Sequence, residues 1–247
     1  NLSSFQIFSA QVESNHTSRR DSRDLCTFTV SVMTIRFVLA SASQARRKLL
    51  DSAGLPHIAM ASDFDEDSVK AEPMLFVQIL AKAKAETILR KIDSPGPSHP
   101  PRLADNFFVL GCDSVLVLDG EIHGKPRDRS EAVGRWRQMR GRSGELLTGH
   151  ALIRNDRGQR RTHVKVQRTV VRFAQLEDSE IEAYVDAGEA MKCAGAFALE
   201  GRGGLFVEGI EGCHSNVIGL SLPLLRKMML ELGAAPHEFW VSPAEEL

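Results

Sequence analysis

Phe107–Pro126 reads FFVLGCDSVLVLDGEIHGKP, and this stretch decides the fold. Its first part is apolar except at Gly111, Asp113 and Ser114, which gives a strand of some length. Asp119-Gly120 is a hairpin turn signal, and Glu121-Ile122-His123 is the returning strand. Upstream, Ile35–Ala40 is a strand, residues 43–53 a helix closed by Gly54 as a left-handed cap, and residues 57–67 a strand running into an acidic turn. Residues 73–92 form a long helix, followed by the Pro-rich loop SPGPSHPPR. Downstream, Asp128 and Glu131 make a D-x-x-E capping box that opens a helix through Met139. Residues 145–154 and 160–173 are strands joined at Asn155–Gly158. Residues 178–186 and 221–232 are helices on either side of a Gly-rich segment. Hairpins and crossover helices occur together, so the expected class is α/β with a mixed twisted sheet and flanking helices.

Composition narrows the function. The chain has 247 residues, 43% of them hydrophobic, with 31 basic and 32 acidic side chains and a net charge of -1. Nothing in that balance points to a nucleic-acid or membrane surface, so any anion binding must be local. No apolar run approaches the roughly 20 residues of a membrane helix. Cys26, Cys112, Cys193 and Cys213 lie far apart with no CxxC pair, which argues against a zinc cluster and for a reduced, cytoplasmic protein. Residues 1–32 are rich in Ser, Thr, Asn and Arg without a period, and read as a disordered extension. Residues 33–247 then make a single domain.

Three charges stand where packing alone would not put them. On a helical wheel Ala45, Leu49, Leu50 and Ala53 form one apolar stripe, and Arg46 falls inside it while Arg47 and Lys48 point away. In the 73–92 helix, Lys84 lies within the stripe of Val77, Leu80, Ala81, Ala85, Ile88 and Ile92. Asp113 interrupts a strand, where Asp is depleted and a buried carboxylate is costly without partners. Ser41 and Ser43 flank a strand-to-helix junction, whose free N–H groups suit phosphate. Glu66 in the acidic turn and Lys125 in GEIHGKP complete the candidates. Lys125 is not part of a Walker A loop, because Gly120 and Gly124 are too close together and Pro126 replaces the Ser/Thr. Cations clamp phosphoryl oxygens, while carboxylates hold a divalent metal or deprotonate water. The set therefore suits hydrolysis of a polyphosphate, with Asp113 facing the basic residues.

From about Ile35 to Gly233 the chain resembles the Maf family of nucleoside triphosphate pyrophosphatases. The motifs are SASQARRKLL for S-x-S-x-x-R-x-x-L-L, DED with Glu66, LAKAKA with Lys84, CDS with Asp113 and GKP with Lys125, then LLTGH, YVDAGE, KCAGAFALEG and NVIGLSLPLL. The resemblance implies a Maf/ITPase-like fold with two lobes around a nucleotide cleft, and a homodimer. It makes Asp113 the proton acceptor, with Glu66, Lys84 and Lys125 as further active-site residues. Arg46 and Ser43 become phosphate binders, and Ser114 and Glu200 stand at positions that tell substrate subfamilies apart. Asp-Thr with a late Gln marks the dTTP/UTP subfamily, and Asp-Gln with a Glu marks the 7-methyl-GTP subfamily. Asp113-Ser114 with Glu200 matches neither. The implied reaction is NTP plus water to NMP plus pyrophosphate, with Mg2+ or Mn2+ held by Asp113 and Glu66. The alternative is a non-catalytic nucleotide-binding regulator of cell division.

Overall fold

In the computed structural model, which describes residues 35–64, 69–94 and 103–240, one long strand organises a 7-stranded sheet. This strand, β3 (Leu103–Leu118), pairs in parallel with β1 (Ile35–Leu39), which pairs in parallel with the short β2 (Ile58–Ala59). On its other side β3 pairs antiparallel with β5 (Ser143–Asp156), then β6 (Gln159–Phe173) and β7 (Val207–Glu211) follow antiparallel. β4 (Glu121–His123) folds back onto the tail of β3, with Leu118 opposite Glu121. Asp119 and Gly120 both have positive φ, 52° and 84°, as the primed hairpin turn requires. Parallel and antiparallel pairings together make the sheet mixed, as the sequence indicated.

Among the described residues six α-helices cover it: α1 (Gln44–Ser52), α2 (Pro73–Asp93), α3 (Arg129–Met139), α4 (Asp178–Asp186), α5 (His214–Ile218) and α6 (Leu222–Glu231). Among the described residues no helix is long and apolar enough to cross a membrane.

Side chains alternate across a strand, so each face has its own cover. α2 covers one face, laying Ala81, Ala85, Ile88 and Ile92 on Val38, Val109, Ala151 and Ile153. It can lie that close because β3 and β5 present glycines to it. A Cβ on Gly111 would sit 2.1 Å from the Ala81 carbonyl oxygen, and one on Gly149 2.0 Å from the Val77 carbonyl oxygen.

The opposite face carries two separate cores. One joins Phe37, Leu39, Phe108 and Leu110 to α1 and α6 through Leu50, Leu225 and Met228. The other joins Leu116, Leu146 and Phe173 to α3 and α4 through Trp136, Ile181 and Tyr184. Between them runs a polar seam of half-buried Ser114 with buried Thr148 and His150 on the sheet, and buried Ser215, Asn216 and Ser221 above it.

The local signals hold with specific exceptions. Ser43 caps α1, and Gly54 adopts φ 65° just beyond it. Asp128 caps α3 by accepting from the Glu131 N–H at 2.8 Å, but the returning Glu131 carboxylate takes the Arg127 N–H rather than that of Asp128. β2 is only two residues long. The Gly-rich segment, to which the sequence assigned no element, contains β7 and α5; β7 pairs with distant β6 and α5 is a five-residue helix anchored by the Asn216 side chain to distant strands, so no local period announces them.

Candidate active site

Pairing along one edge of β3 is interrupted. β1 leaves at Leu39 opposite Leu110, and β4 joins only at Leu116. Among the described residues, no strand pairs with residues 111–115 on that side. Asp113 and Ser114 lie in this opening and point to opposite faces.

Asp113 points toward α2. The Lys84 ammonium donates to Asp113 Oδ1 at 2.5 Å, and the two side chains are only 11% and 8% exposed. Gly149 stands directly opposite Asp113 on β5 and Gly111 precedes it by two, so the glycines that admit α2 also bring Lys84 to the carboxylate. A charge-assisted hydrogen bond of this kind is short and directional.

Arg46 approaches from the other face, and here the sequence expectation needs correction. The sequence expectation has Asp113 facing the basic residues; it faces Lys84, whereas Arg46 meets Ser114, one residue on and across the sheet. The alternation of the strand forces this. The Arg46 guanidinium donates from Nη2 to Ser114 Oγ at 3.1 Å, from Nη1 to Ser41 Oγ at 3.2 Å, and from Nε to the Gly219 carbonyl at 2.8 Å. Ser41 Oγ also accepts from the Ser43 N–H, and Ser43 Oγ caps the Arg46 N–H. Cys112, between them in the strand, feels both groups: burial pushes its thiol up to about 12, against the pull of Arg46 and Lys84 and with the push of Asp113.

Lys125 is exposed on the loop after β4. Its loop is clamped rather than free. The buried Arg135 guanidinium and the Gly195 N–H both donate to the Gly124 carbonyl, at 2.5 and 3.0 Å. Glu131 accepts from Arg135 at 2.8 Å and from the Arg127 N–H and Nε, both at 2.9 Å. Lys125 thus stands between two fixed points. Burial, together with the Glu200 and Glu189 charges, raises the Cys193 thiol to about 11, while Lys125 and Lys192 oppose the rise. Lys125 and Glu200 therefore share one neighbourhood. The turn carrying Glu200 is held by Glu189, which accepts from the Gly203 N–H at 3.0 Å, the Arg202 N–H at 3.2 Å and the Tyr184 hydroxyl at 3.0 Å. Glu66 lies outside the described residues.

The Lys125 clamp has a pH signature. The Arg127 backbone N–H, then its guanidinium, hold the Glu131 carboxyl at about 2 against an ordinary 4.5. A lowered folded value means stability that is complete above pH 4.5 and lost as pH falls toward 2. Glu131→Gln should cost about 1 kcal/mol near neutrality, modest because the pair is partly solvated. Urea midpoints should show that difference from the parent protein shrinking toward nil on acidification through this window. A difference independent of pH would mean Glu131 acts by packing alone.

Sequence reasoning gave no role to Thr148, Asn216 or Gly219. Thr148 Oγ1 lies 2.9 Å from Ser114 Oγ and donates to the Asn216 carbonyl at 3.1 Å. The Asn216 amide in turn donates to Leu146 O and Gln167 O, both at 3.2 Å, and to Thr169 Oγ1 at 3.0 Å, which stitches α5 to β5 and β6. The one available signal was a Thr inside the otherwise apolar-patterned LLTGH.

Fold and site together define a mixed α/β protein with a carboxylate–ammonium pair and a fixed guanidinium at one open strand edge. The chain belongs to the Maf family: the model described as Maf-like protein matches residues 36–232. A protein of Trichormus variabilis named nucleoside triphosphate pyrophosphatase is 55% identical over 208 residues, covering 84% of this chain and 98% of that one. Proteins with the same name from Cyanothece sp. and Thermosynechococcus vestitus are 54% and 53% identical, over 83% and 81% of this chain and 100% and 94% of theirs.

Proposed function

We propose that this chain hydrolyses nucleoside triphosphates to nucleoside monophosphate and pyrophosphate. The observation that carries the reading is the buried Lys84–Asp113 pair in the open edge of β3, with Arg46 fixed across the strand. In this reading Asp113 orients a water at the α-phosphorus and takes its proton. The water oxygen bonds to that phosphorus as the bond to the bridging oxygen breaks, and pyrophosphate leaves with the electron pair. Lys84, Lys125 and Arg46 offset the charge on the phosphoryl oxygens, with Ser41 and Ser43 at the helix entrance as further phosphate contacts. Ser114 and Glu200 stand where the substrate is selected. A pure binding module needs no buried carboxylate beside a phosphate site, which favours the enzyme over the regulator.

Among the described residues no three His, Cys, Asp or Glu side chains group as a metal cage. Magnesium is commonly held by one or two carboxylates plus substrate phosphates, and Asp113 with Glu66 fits that donor set. A bound Mg2+ or Mn2+ would supply charge neutralisation on the departing pyrophosphate. The proposal includes a homodimer acting in the cytoplasm, without nucleic-acid or membrane partners; the free thiols of Cys112, Cys193 and Cys213 support the reducing compartment.

The test is product analysis after incubation with standard and modified NTPs plus Mg2+ or Mn2+. Pyrophosphate and monophosphate are expected for at least one of them. Orthophosphate release would replace the pyrophosphatase with a phosphatase, and tight binding without turnover would favour the regulator.

A further inference from the structure

Proton bookkeeping in the polar seam assigns a task to Thr148 and Asn216, which the reaction does not otherwise use. Thr148 is fully buried, and its oxygen lies 3.1 Å from the Asn216 carbonyl, which can only accept. The single Thr148 proton is therefore spent there. The 2.9 Å contact between Thr148 and Ser114 must then use the Ser114 proton, leaving the Ser114 oxygen to accept from Arg46 at 3.1 Å. The chain runs one way: Arg46 N–H to Ser114, Ser114 O–H to Thr148, Thr148 O–H to Asn216 O. Its far end is fixed, because the Asn216 amide is bonded to two strands. His150 fixes the Thr148 backbone too. Its Nε2 accepts from the Ser221 N–H at 2.9 Å, so Nδ1–H donates to the Thr148 carbonyl at 3.0 Å.

The α5 turn thus holds Arg46 at two points. Gly219 O takes Nε directly, and Asn216 O acts through Thr148 and Ser114. With Ser41, these bonds occupy three of the five N–H donors of a guanidinium and leave two.

We propose that Thr148 is a positioning residue that presets Arg46 for the triphosphate through Ser114, so that the Ser114 hydroxyl serves substrate selection by way of Arg46. The inference rests on the reading of Arg46 as a phosphate binder. Preorganised donors bind without reorganisation when the ligand arrives. Losing the relay therefore weakens substrate capture and leaves Asp113 and Lys84 in place on the other face.

The experiment measures KM and kcat for an NTP turned over by the full chain with Mg2+. Thr148→Val removes the hydroxyl at nearly constant volume and should raise KM about tenfold while kcat stays within about threefold. Thr148→Ser keeps the hydroxyl and should restore KM to within about twofold of the parent. Ser114→Ala should raise KM as Thr148→Val does, and the double variant should be no worse than either single one, because both cut the same chain. A parental KM for Thr148→Val would overturn the proposal. So would equal damage from Thr148→Ser, or losses that multiply in the double variant. Arg46→Ala separates this from the underlying reading: an unchanged KM there removes both, whereas a raised KM with Thr148→Val unaffected removes the relay alone.

Discussion

Asp113→Asn should lower NTP turnover by about a thousandfold with little change in KM, the range expected when a positioned general base is removed. The amide has nearly the shape of the carboxylate, sits on the same rigid strand and still accepts a hydrogen bond from Lys84. What it cannot do is take a proton from water. It also removes the negative charge 2.5 Å from the buried Lys84 ammonium, so stability should fall by on the order of 2 kcal/mol. The two effects can be separated. Lys84→Met combined with Asp113→Asn removes both charges and should recover part of the stability with no recovery of turnover. Turnover by Asp113→Asn within a few-fold of the parent would remove Asp113 from the role of base.

Gly149→Ala should destabilise the protein by about 3 kcal/mol or more, a large effect for one methyl group. The added carbon would lie 2.0 Å from Val77 O and 2.5 Å from Val77 C, and both are backbone atoms of α2. No side-chain rotation relieves that contact; the helix itself must move off the sheet. Such a movement also draws Lys84 from Asp113, so activity should fall along with stability. Gly134→Ala is the control. It sits inside α3 with nothing within 4 Å of the added carbon, so the change should stabilise by roughly 0.5–1 kcal/mol through the helix preference of Ala. Denaturant midpoints for the two variants should move in opposite directions. A Gly149→Ala protein as stable as the parent would mean that α2 packs more loosely than its contacts indicate.

The two glycines show where sequence reading reaches its limit. A Gly within a strand hints at close backbone approach, but neither Gly111 nor Gly149 says which backbone approaches. That answer needs α2 in position, more than 25 residues away in the chain. Charges out of register with their helix were legible, because 3.6-residue periodicity is local: Arg46 is half-buried while Arg47 is exposed, and Lys84 is buried while Lys82 is exposed. The side of the sheet on which Arg46 meets β3 was not legible, since it depends on how α1 docks. Period-2 alternation then dictates that Arg46 reaches Ser114 and not Asp113. Thr148 was hidden for a related reason. A hydroxyl in a strand is ordinary, and its role exists only once Ser114, Asn216 and Arg46 converge from three distant segments. β7 and α5 escaped notice because their stability comes from β6 and the seam rather than from their own residues.

The most direct test of the central claim follows the attacking oxygen. Hydrolysis of an NTP by the protein with added Mg2+ in water enriched in heavy oxygen, with products resolved by mass spectrometry, reports which phosphorus the water reaches. With Asp113 directing water at the α-phosphorus, the label enters the nucleoside monophosphate, pyrophosphate stays unlabelled, and Asp113→Asn suppresses both products together. Label in pyrophosphate, or labelled orthophosphate as the product, would place the attack on another phosphorus and contradict the account.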